Sequence, residues 1–335
     1  MEIKKALFFK PGAIGDLLHT LPALHSLKKK YPSARITVVV SPGLEPLLRD
    51  TKIADRVLVY DKSKLKKKLK DFITFGLLLR RERYDLFIDL QPSLRSRVLR
   101  WISGPERALV YRKQRRIENR GHRLHAVDNF METLRPIGID GPVTNIDLPV
   151  VPDALRSVDR FLADHGIDAA KPVIALNCSV GSARPARNWF PERFALLADR
   201  IIVELGAAVV FVGGGEDREL VRRVIAGMRE QAVSAAGELS LAHSAALLSR
   251  CSCLVSSDTG PLHLATAVGT PVIGLYGSTD PHRTGPVGHR NQVIIKGLSC
   301  VPCEKKKCPL GTRACMAAIT VDEVLEALRK AIRCV

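Results

Sequence analysis

The chain has 335 residues, which is too long for one ordinary hydrophobic core, and at about 150 residues per domain this length predicts two domains. Hydrophobic residues make up 46% and charged residues 26% of the sequence, and no apolar run reaches the roughly 18 residues of a membrane-spanning helix. This composition is typical of a soluble globular protein and argues against an integral membrane protein. The N-terminal segment shows no signal-peptide pattern, so we expect a cytoplasmic protein.

The net charge of +18 is concentrated in the first half of the chain. Residues 1–150 contain 30 Lys and Arg against 16 Asp and Glu, whereas residues 151–335 contain 22 against 18. A basic half of this kind suits an anionic partner, namely nucleic acid, an acidic membrane surface or a phosphorylated substrate. The alternative for the lysine-rich segment 62–70 is a solvated helix face.

Short apolar runs alternate with amphipathic helical patterns along the chain. The predicted strands are IKKALFFK, ARITVVV, DRVLVY and YDLFIDL in the first half, and PVIALN, AAVVFVGG, CLVSS and TPVIGLYG in the second. Continuous apolar strands between helices indicate parallel sheets covered on both faces. Region 143–172 is rich in Pro and Asp and has no strong strand, so we place the boundary there, between domains 1–155 and 156–335. The predicted fold is α/β, with two Rossmann-like doubly wound domains facing a central cleft.

Three predicted strand-to-helix turns carry unusual residues, and ligands of doubly wound sheets bind at such turns. The first contains Gly12, Gly15 and Asp16, the second contains three glycines followed by Glu216, and the third is SDTGPLHLATAVG at 257–269. Glycine allows close backbone approach, and a helix N-terminus offers free N–H groups to a phosphate. Neither a Gly-x-Gly-x-x-Gly fingerprint nor a P-loop motif occurs, which disfavours an ordinary NAD dehydrogenase or kinase.

Four stretches occur in the order KPGAIGDLLHTLPALHSLKKKYPSARITVVV, YDLFIDLQPSLRS, RNWFPERFALLADRI and SSDTGPLHLATAVGTPVIGLYGSTDP. Together they resemble the family of ADP-heptose:lipopolysaccharide heptosyltransferases (glycosyltransferase family 9), most of all its heptosyltransferase II branch. The resemblance implies a GT-B type transferase whose N-terminal domain binds the acceptor and whose C-terminal domain binds ADP-heptose. It further implies a reaction that inverts the anomeric centre without a metal ion, at the inner face of the inner membrane.

The donor site is predicted around the third turn. Asp258, Thr259 and Gly260 form the turn, the N–H groups of the next helix point at the diphosphate, and His263 lies in its first turn. The sequence contains no Asp-x-Asp pair of the kind that holds a Mg²⁺- or Mn²⁺-bound diphosphate. Similar proteins usually have a phosphate-binding Lys where this chain has Arg187, which keeps the charge. The alternative is that Asp258 caps the helix and His263 packs in the core.

Three further residues are predicted on the donor side. The resemblance matches Glu216 to a ligand of the nucleoside ribose, and the alternative is a carboxylate in the first turn of a helix. Ser179 and Ser182 are candidate phosphate-binding hydroxyls.

On the acceptor side, Asp16 is the predicted catalytic base. The matching Asp of the family looks catalytic, and an acceptor hydroxyl must lose its proton as the new bond forms. The alternative is that Asp16 only caps the following helix. In DLQPSLRS, Pro92 stands where relatives commonly have Gly. The candidate acceptor-binding residues are Gly12, Gly15, Asp89, Gln91 and Arg95.

Half of the eight cysteines cluster as C-x2-C-x4-C-x6-C, at Cys300, Cys303, Cys308 and Cys315. This cluster is a candidate structural site for Zn²⁺ or an iron–sulfur cluster, since a cytosolic protein seldom uses disulfides. Reduced thiols or a redox-sensitive loop are the alternative. The other cysteines are predicted to be isolated thiols that are buried or terminal, namely Cys178, Cys251, Cys253 and Cys334.

The predicted function is that of an enzyme, a glycosyltransferase that moves heptose from ADP-heptose to an inner-core lipopolysaccharide acceptor of the Kdo-lipid A type. Its predicted partners are these two substrates and the inner-membrane surface, with no cofactor required. The alternatives are a family 9 transferase for another nucleotide sugar or acceptor, and a basic nucleic-acid-binding protein. Because aromatic residues make up only 5% of the sequence and no RNA or DNA module is recognisable, we expect no nucleic-acid partner.

Overall fold

A computed structural model of the chain describes residues 2–113, 124–168, 170–181 and 183–333. The backbone forms two compact units, Met1–Thr144 and Asn145–Val335. Each unit is an α/β domain built around a parallel sheet, which confirms the predicted fold class. Within the described residues, no helix is both long enough and apolar enough to cross a membrane.

The sheet of the first unit has five parallel strands, β1 (Lys5–Phe9), β2 (Arg35–Val40), β3 (Arg56–Val59), β4 (Leu86–Asp89) and β5 (Arg107–Val110). Their order in space is β3-β2-β1-β4-β5. The helices of this unit are α1 (Ile14–Leu18), α2 (Leu21–Lys30), α3 (Glu45–Leu48), α4 (Lys62–Lys67), α5 (Leu69–Glu82), α6 (Leu94–Ser103) and α7 (Ala126–Met131), with 3₁₀ turns at Pro42–Leu44 and Glu132–Ile137.

The sheet of the second unit has six parallel strands, β6 (Val173–Asn177), β7 (Ala208–Phe211), β8 (Val233–Ser234), β9 (Cys253–Ser257), β10 (Val272–Tyr276) and β11 (Gln292–Ile295). Their order in space is β11-β10-β9-β6-β7-β8. The helices are α8 (Pro152–Asp164), α9 (Pro191–Leu205), α10 (Arg218–Ala226), α11 (Leu241–Arg250), α12 (Gly260–Ala267), α13 (Pro281–Thr284), α14 (Ala314–Ala317) and α15 (Val321–Arg333), with 3₁₀ turns at Pro185–Arg187 and Gly215–Asp217.

All eight predicted strands are confirmed, and the three that the sequence did not indicate are β5, β8 and β11. Each of these lies at the edge of its sheet. Edge strands are covered less completely, so most side chains of these three are half-buried or exposed and they form no continuous buried run. The central strands, in contrast, are buried along almost their whole length, for example β6 and β9.

The two sheets share one topological feature that positions their functional residues. In each sheet the first strand lies near the middle, and the chain later returns to add strands on its other side. The reversal falls between β1 and β4 in the first unit and between β6 and β9 in the second. The carboxyl ends of strands at such a reversal open a crevice in which doubly wound proteins bind ligands.

The division between the units lies earlier in the chain than the predicted boundary of 155/156. Ile146 and Leu148 are buried, and the backbone N–H of Leu148 donates to the carbonyl of Ala267 at 2.8 Å. Helix α8, which follows directly, packs against α11. Residues 145–155 therefore belong to the second unit, because their apolar side chains are buried there.

The second unit is closed by the C-terminal helix α15. Trp189 is fully buried, stands edge to face with Phe194 at 5.0 Å, and donates its indole N–H to the carbonyl of Ile319 at 3.1 Å. Burial of large apolar side chains of this kind stabilises a fold by about 1.5–3 kcal/mol each. Ile319 lies just before α15 and Trp189 lies just after Arg187, so this hydrogen bond joins the loop before α15 to the segment around Arg187.

Candidate active site

In the first unit, the turn after β1 is joined to the end of β4 through Gly12 and Gln91. The N–H of Gly12 donates to Oε1 of Gln91 at 2.7 Å. A Cβ atom at position 12 would lie 2.6 Å from Nε2 of Gln91, closer than non-bonded atoms approach. A side chain at position 12 would therefore displace the Gln91 amide from its present place. The structure brings together these two predicted acceptor-side residues across the β1–β4 reversal.

Asp16 lies on α1 beside a buried lysine that the sequence did not indicate. Lys10 is 2% exposed, and its Nζ lies 3.3 Å from Oδ2 of Asp16 and 3.3 Å from Oε1 of Gln91. Nζ also donates to the carbonyl of Gly12 at 3.1 Å. Burial lowers the pKa of Lys10, and the neighbouring Asp16 carboxylate opposes this shift. Lys10 thus connects the residues of this turn.

Asp16 does not cap α1. The N-cap residue is Ala13, which has φ of 45°, and no side chain caps the helix. Asp16 stands in the first turn, where the helix N-terminus favours its negative charge, and its side chain is 55% exposed. A half-exposed carboxylate held by a buried ammonium group suits a base that must meet a substrate hydroxyl. Gly15 directly precedes it in the same short helix.

The other two predicted acceptor residues make different contacts. Asp89 is fully buried, 3.2 Å from Nη1 of Arg100, and accepts the N–H of Gln91 at 3.2 Å. Burial raises the pKa of Asp89, and these partners oppose the shift. The hydrogen bond to the N–H of Gln91 means that Asp89 helps to fix the backbone of that residue. The guanidinium of Arg95 lies over the ring of Phe72 at 5.6 Å, which attaches it to α5.

In the second unit, the β6–β9 reversal is bridged by Asn177, another residue that the sequence did not indicate. Its Nδ2 donates to Oγ of Ser256 and to Oγ1 of Thr259, both at 2.9 Å. The hydroxyl of Thr259 in turn donates to the carbonyl of Ser257 at 3.2 Å. This network fixes the turn in which the predicted donor residues Asp258, Thr259 and Gly260 stand.

Asp258 is the centre of a buried charged group. Nη1 of Arg187 donates to the carbonyl of Asp258 at 2.7 Å and lies 3.0 Å from its Oδ2. Nε2 of His263 lies 3.3 Å from Oδ1, and the hydroxyl of Thr284 lies 3.4 Å from Oδ2. Burial opposes ionisation of Asp258, but His263 and Arg187 outweigh it, so the pKa of Asp258 lies below its ordinary value. Burial also lowers the pKa of Arg187, against the attraction of Asp258.

These contacts bear on both interpretations of the third turn. The N-cap residue of α12 is Thr259 rather than Asp258, and no side-chain cap is described for this helix. Because the first N–H groups of a helix have no partner within the helix, the start of α12 at Gly260 can receive an anion. His263 is buried, as in the packing interpretation, yet its ring faces the Asp258 carboxylate.

The remaining donor-side predictions have weaker support from their surroundings. Glu216 is exposed in the 3₁₀ turn after β7, whereas its neighbour Asp217 accepts the N–H of Gly214 at 2.8 Å. Ser179 accepts the N–H of Gly181 at 3.1 Å and so closes a local turn. Ser182 lies outside the described residues. Arg184, which the sequence did not indicate, is exposed and close enough to Arg187 to repel its charge.

The cysteine-rich loop lies against the segment around Arg187. The carbonyl of Lys306 accepts the N–H of Ala186 at 3.1 Å, and Arg313 donates to the carbonyl of Asn188 at 3.3 Å. Glu304 donates its N–H to the carbonyl of Ser278, which follows β10. The loop therefore forms part of the wall at the carboxyl edge of the second sheet.

The four clustered cysteines are free thiols in this structure, with Cys300 exposed and Cys315 buried. Across the described ranges, no group of three or more His, Cys, Asp or Glu side chains is placed to hold a metal ion, and a metal site at these cysteines stays a prediction. Backbone N–H groups, above all that of Arg313, lower the pKa of the Cys308 thiol. The isolated thiols Cys178, Cys251 and Cys253 are buried as predicted, and Cys334 lies outside the described residues.

Comparison with known proteins identifies the family. Residues 73–313 match the profile of Glycosyltransferase family 9 (heptosyltransferase), which is more than half of the chain. The chain is 24% identical to lipopolysaccharide heptosyltransferase 2 of Salmonella typhimurium, over 97% of each chain. It is 26% identical to the lipopolysaccharide core heptosyltransferase OpsX of Haemophilus influenzae, over 87% of this chain and 84% of that one.

Solved structures show the same fold. The glycosyl transferase family 9 protein from Veillonella parvula superposes with a TM-score of 0.87 at 24% identity, over 99% of this chain and 98% of that one. E. coli ADP-heptose lps heptosyltransferase II gives a TM-score of 0.82 at 23% identity, over 98% of each chain. E. coli heptosyltransferase WaaC with ADP gives 0.72 at 23% identity, over 98% of this chain and 99% of that one. The chain therefore belongs to glycosyltransferase family 9, the heptosyltransferase family.

Proposed function

We propose that this glycosyltransferase moves a heptose from ADP-heptose to the inner core of lipopolysaccharide, with inversion at the anomeric carbon and without a catalytic metal ion. Family membership and the names of the relatives support the sugar and the acceptor. The observation that carries the proposal is the ion pair between half-buried Arg187 and buried Asp258 at the start of α12, at the β6–β9 reversal. It offers a cation and free helix N–H groups to a diphosphate at one place.

The donor half of the mechanism follows from this arrangement. A guanidinium group carries five N–H donors, so Arg187 keeps donors for phosphate oxygens while it contacts Asp258. The α12 N-terminus adds partial positive charge, and the exposed Arg184 adds a second cation. We propose that these groups neutralise the departing ADP, the role that a metal ion serves elsewhere, with Ser179 and Ser182 as further phosphate contacts and Glu216 on the ribose.

The acceptor half follows from Asp16 and Lys10. The oxygen of the acceptor hydroxyl forms a bond to the anomeric carbon, while the bond from that carbon to the ADP oxygen breaks and its electron pair leaves with ADP. Asp16 takes the hydroxyl proton as this happens. Attack opposite the leaving group inverts the anomeric centre. Lys10 orients the Asp16 carboxylate, and Gly12 and Gln91 fix the turn.

We further propose that the chain works in the cytoplasm at the inner face of the inner membrane. A Kdo-lipid A type acceptor is anionic and anchored in the bilayer, and the first 150 residues carry the excess of positive charge. The family match gives the basic half an enzymatic explanation, so the nucleic-acid alternative has no observation in its favour.

The test is turnover of a panel of ADP-, UDP- and GDP-activated sugars on Kdo-lipid A, followed by mass spectrometry of the lipid product. The expected result is addition of one heptose from ADP-heptose, with the other donors at least about ten-fold slower. Faster transfer from a UDP- or GDP-sugar would overturn the donor assignment. Transfer only to acceptors that already carry one heptose would assign the second addition rather than the first.

A further inference from the structure

Two neighbouring helices of the first unit expose large apolar side chains. On α5, Leu69 is 73% exposed, and Ile73 and Leu77 follow at intervals of four residues, which places all three on one outward stripe. On α6, Leu94 is 74% and Trp101 is 81% exposed, seven residues apart. We call the surface formed by Leu69, Ile73, Leu77, Leu78, Leu94 and Trp101 the α5–α6 face.

The two stripes belong to one continuous surface, because α5 and α6 pack side by side. A Cβ atom at Gly76 of α5 would lie 2.8 Å from Cγ2 of Ile102 on α6. The opposite sides of the helices are already used, since Phe72 and Leu79 of α5 and Leu99 of α6 are buried in the core of the unit. The exposed residues of the α5–α6 face are therefore not needed for packing within this unit.

Positive charge surrounds this apolar surface. Residues 62–101 contain 12 Lys and Arg against 4 Asp and Glu. The described cations of this region that are exposed include Lys68, Lys70, Arg80, Arg81 and Arg97.

Most of the acidic side chains in this region are engaged elsewhere. Glu82 forms an ion pair with Arg56 at 2.5 Å, and Asp85 accepts the backbone N–H groups at the start of β1. Asp89 is buried beside Arg100. Asp71 is the acidic residue that stays exposed on α5.

We infer that the α5–α6 face docks on the surface of an anionic lipid bilayer. An indole ring suits the boundary between headgroups and acyl chains, where its apolar body and its N–H group are both accommodated. Leucine and isoleucine side chains on the same face can enter that boundary, while surrounding lysines and arginines contact lipid phosphates. The inference rests on the proposed function, because a lipid-anchored acceptor must be reached at the membrane.

Charge distinguishes this face from another exposed apolar region of the chain. The groove between α9 and α10 has a volume of about 830 Å³ and exposes Leu196 and Val203. Acidic and basic side chains alternate around it, among them Asp199, Glu204 and Arg223. A mixed rim gives no preference for an anionic surface, so this groove supplies the matched control.

The experiment measures binding to vesicles of phosphatidylglycerol and phosphatidylethanolamine, and to vesicles of phosphatidylcholine alone, by co-sedimentation of the full chain. The apolar variant combines Leu69→Ser, Leu77→Ser and Trp101→Ser, the charge variant combines Lys70→Ser, Arg81→Ser and Arg97→Ser, and the control combines Leu196→Ser and Val203→Ser. We expect binding to the anionic vesicles only, weakened about ten-fold or more in the apolar and charge variants and unchanged in the control.

Tryptophan emission gives a second measurement that does not depend on a variant folding. The chain has two tryptophans, and Trp189 is buried in the second unit, so a blue shift on adding anionic vesicles reports Trp101. The inference is wrong if anionic vesicles cause no blue shift in the wild type and the apolar variant binds them as well as the wild type does. The inference is also wrong if the wild type sediments as a dimer and the apolar variant as a monomer, because the α5–α6 face would then contact a second copy of the chain.

Activity separates this inference from the proposed function. With a water-soluble Kdo acceptor that lacks acyl chains, the apolar variant should transfer heptose at the wild-type rate, whereas on vesicle-embedded acceptor its rate should fall about ten-fold. A chain that binds vesicles through this face but transfers no heptose would refute the proposed function and leave the docking surface standing. Equal rates on both acceptors in the variant would refute the docking surface alone.

Discussion

Nζ of the buried Lys10 lies 3.3 Å from Oδ2 of the half-exposed Asp16, and this pair connects the end of β1 to the first turn of α1. The lysine side chain is almost completely buried, whereas about half of the Asp16 side chain is open to solvent. An ammonium group in this position holds the Asp16 carboxylate in one orientation at the carboxyl edge of the first sheet. The pair therefore has the properties of a positioned base and its supporting cation.

The first prediction concerns Asp16. Asp16→Asn should lower kcat by about 10²–10⁴-fold while substrate binding changes little, because the amide cannot accept the hydroxyl proton. Some stability should also be lost, because the buried Lys10 ammonium is left without its carboxylate, although Asp16 does not cap α1. Steady-state kinetics on Kdo-lipid A measure kcat and KM, and a thermal unfolding curve measures the change in stability. A folded variant with near-normal kcat would remove Asp16 from the mechanism and direct attention to Asp89 or to His19, a buried residue at the end of α1.

The second prediction concerns Arg187. Arg187→Ala should cost about 2–4 kcal/mol of transition-state stabilisation, or roughly 30- to 1,000-fold in kcat/KM, because a ligand of the leaving diphosphate is lost. Arg187→Lys is the matched control, and it should recover part of the rate, because it restores the charge without the planar fork. If both variants are folded by circular dichroism and both equal the wild type in kcat/KM, Arg187 does not contact the diphosphate.

The third prediction is a dependence of stability on pH through Asp258. Its folded-state pKa lies below the ordinary value, so between the two values the unfolded state binds more protons than the folded state. The contribution of Asp258 is therefore fully present above the ordinary carboxyl pKa and is lost as the pH falls through the folded-state pKa. Asp258→Asn should destabilise the chain by about 3–5 kcal/mol near pH 7, since Arg187 is left without its carboxylate.

The measurement for Asp258 is denaturant unfolding of both proteins from pH 7 down to pH 3. The difference between wild type and variant should be constant above about pH 5 and should shrink below about pH 4, as the wild-type carboxyl takes up its proton. A difference that stays constant over the whole range would mean that Asp258 stabilises the fold without its charge.

The fourth prediction is that chelation leaves turnover intact. If Arg187 and the α12 N-terminus neutralise ADP, an excess of EDTA should change kcat by less than about two-fold. Recovery of a lost rate by Mg²⁺ would contradict the donor mechanism. Recovery by Zn²⁺ or Fe²⁺, with loss of the helical signal during chelation, would instead show that the cysteine-rich loop requires a metal to hold the wall beside Arg187.

The sequence predicted the sheets well because their central strands are buried on both faces and therefore read as continuous apolar runs. It did not indicate β5 or β11, whose alternating burial at a sheet edge leaves no such run. Glycine and carboxylate residues at the turns after β1 and β9 were recognisable because those residue types are unusual there. These signals are local, and they extend only to the residues of one turn.

Contacts between segments that lie far apart in the chain could not be predicted from the sequence. Lys10 stands at the end of an apolar run, where a lysine ordinarily marks the exposed end of a strand, and only the folded chain brings it within reach of Gln91. Asn177 similarly acquires its role from Thr259 on another strand-to-helix turn. The place of Arg95 shortly after β4 in the sequence predicts a residue of the acceptor turn, but its guanidinium packs on Phe72. The direction of the Arg95 side chain on α6 determines which residue it contacts, and no sequence motif indicates that direction.

The most direct test of the proposed chemistry is the configuration of the anomeric carbon in the transferred sugar. Purified chain, ADP-heptose and Kdo-lipid A are incubated with EDTA, and the product is followed by NMR through the one-bond carbon–hydrogen coupling at that carbon. The account predicts one ADP released for each heptose transferred, and a product whose anomeric configuration is opposite to that of the donor. Retention of the donor configuration would contradict it, and so would the absence of transfer in EDTA both to Kdo-lipid A and to an acceptor that already carries one heptose.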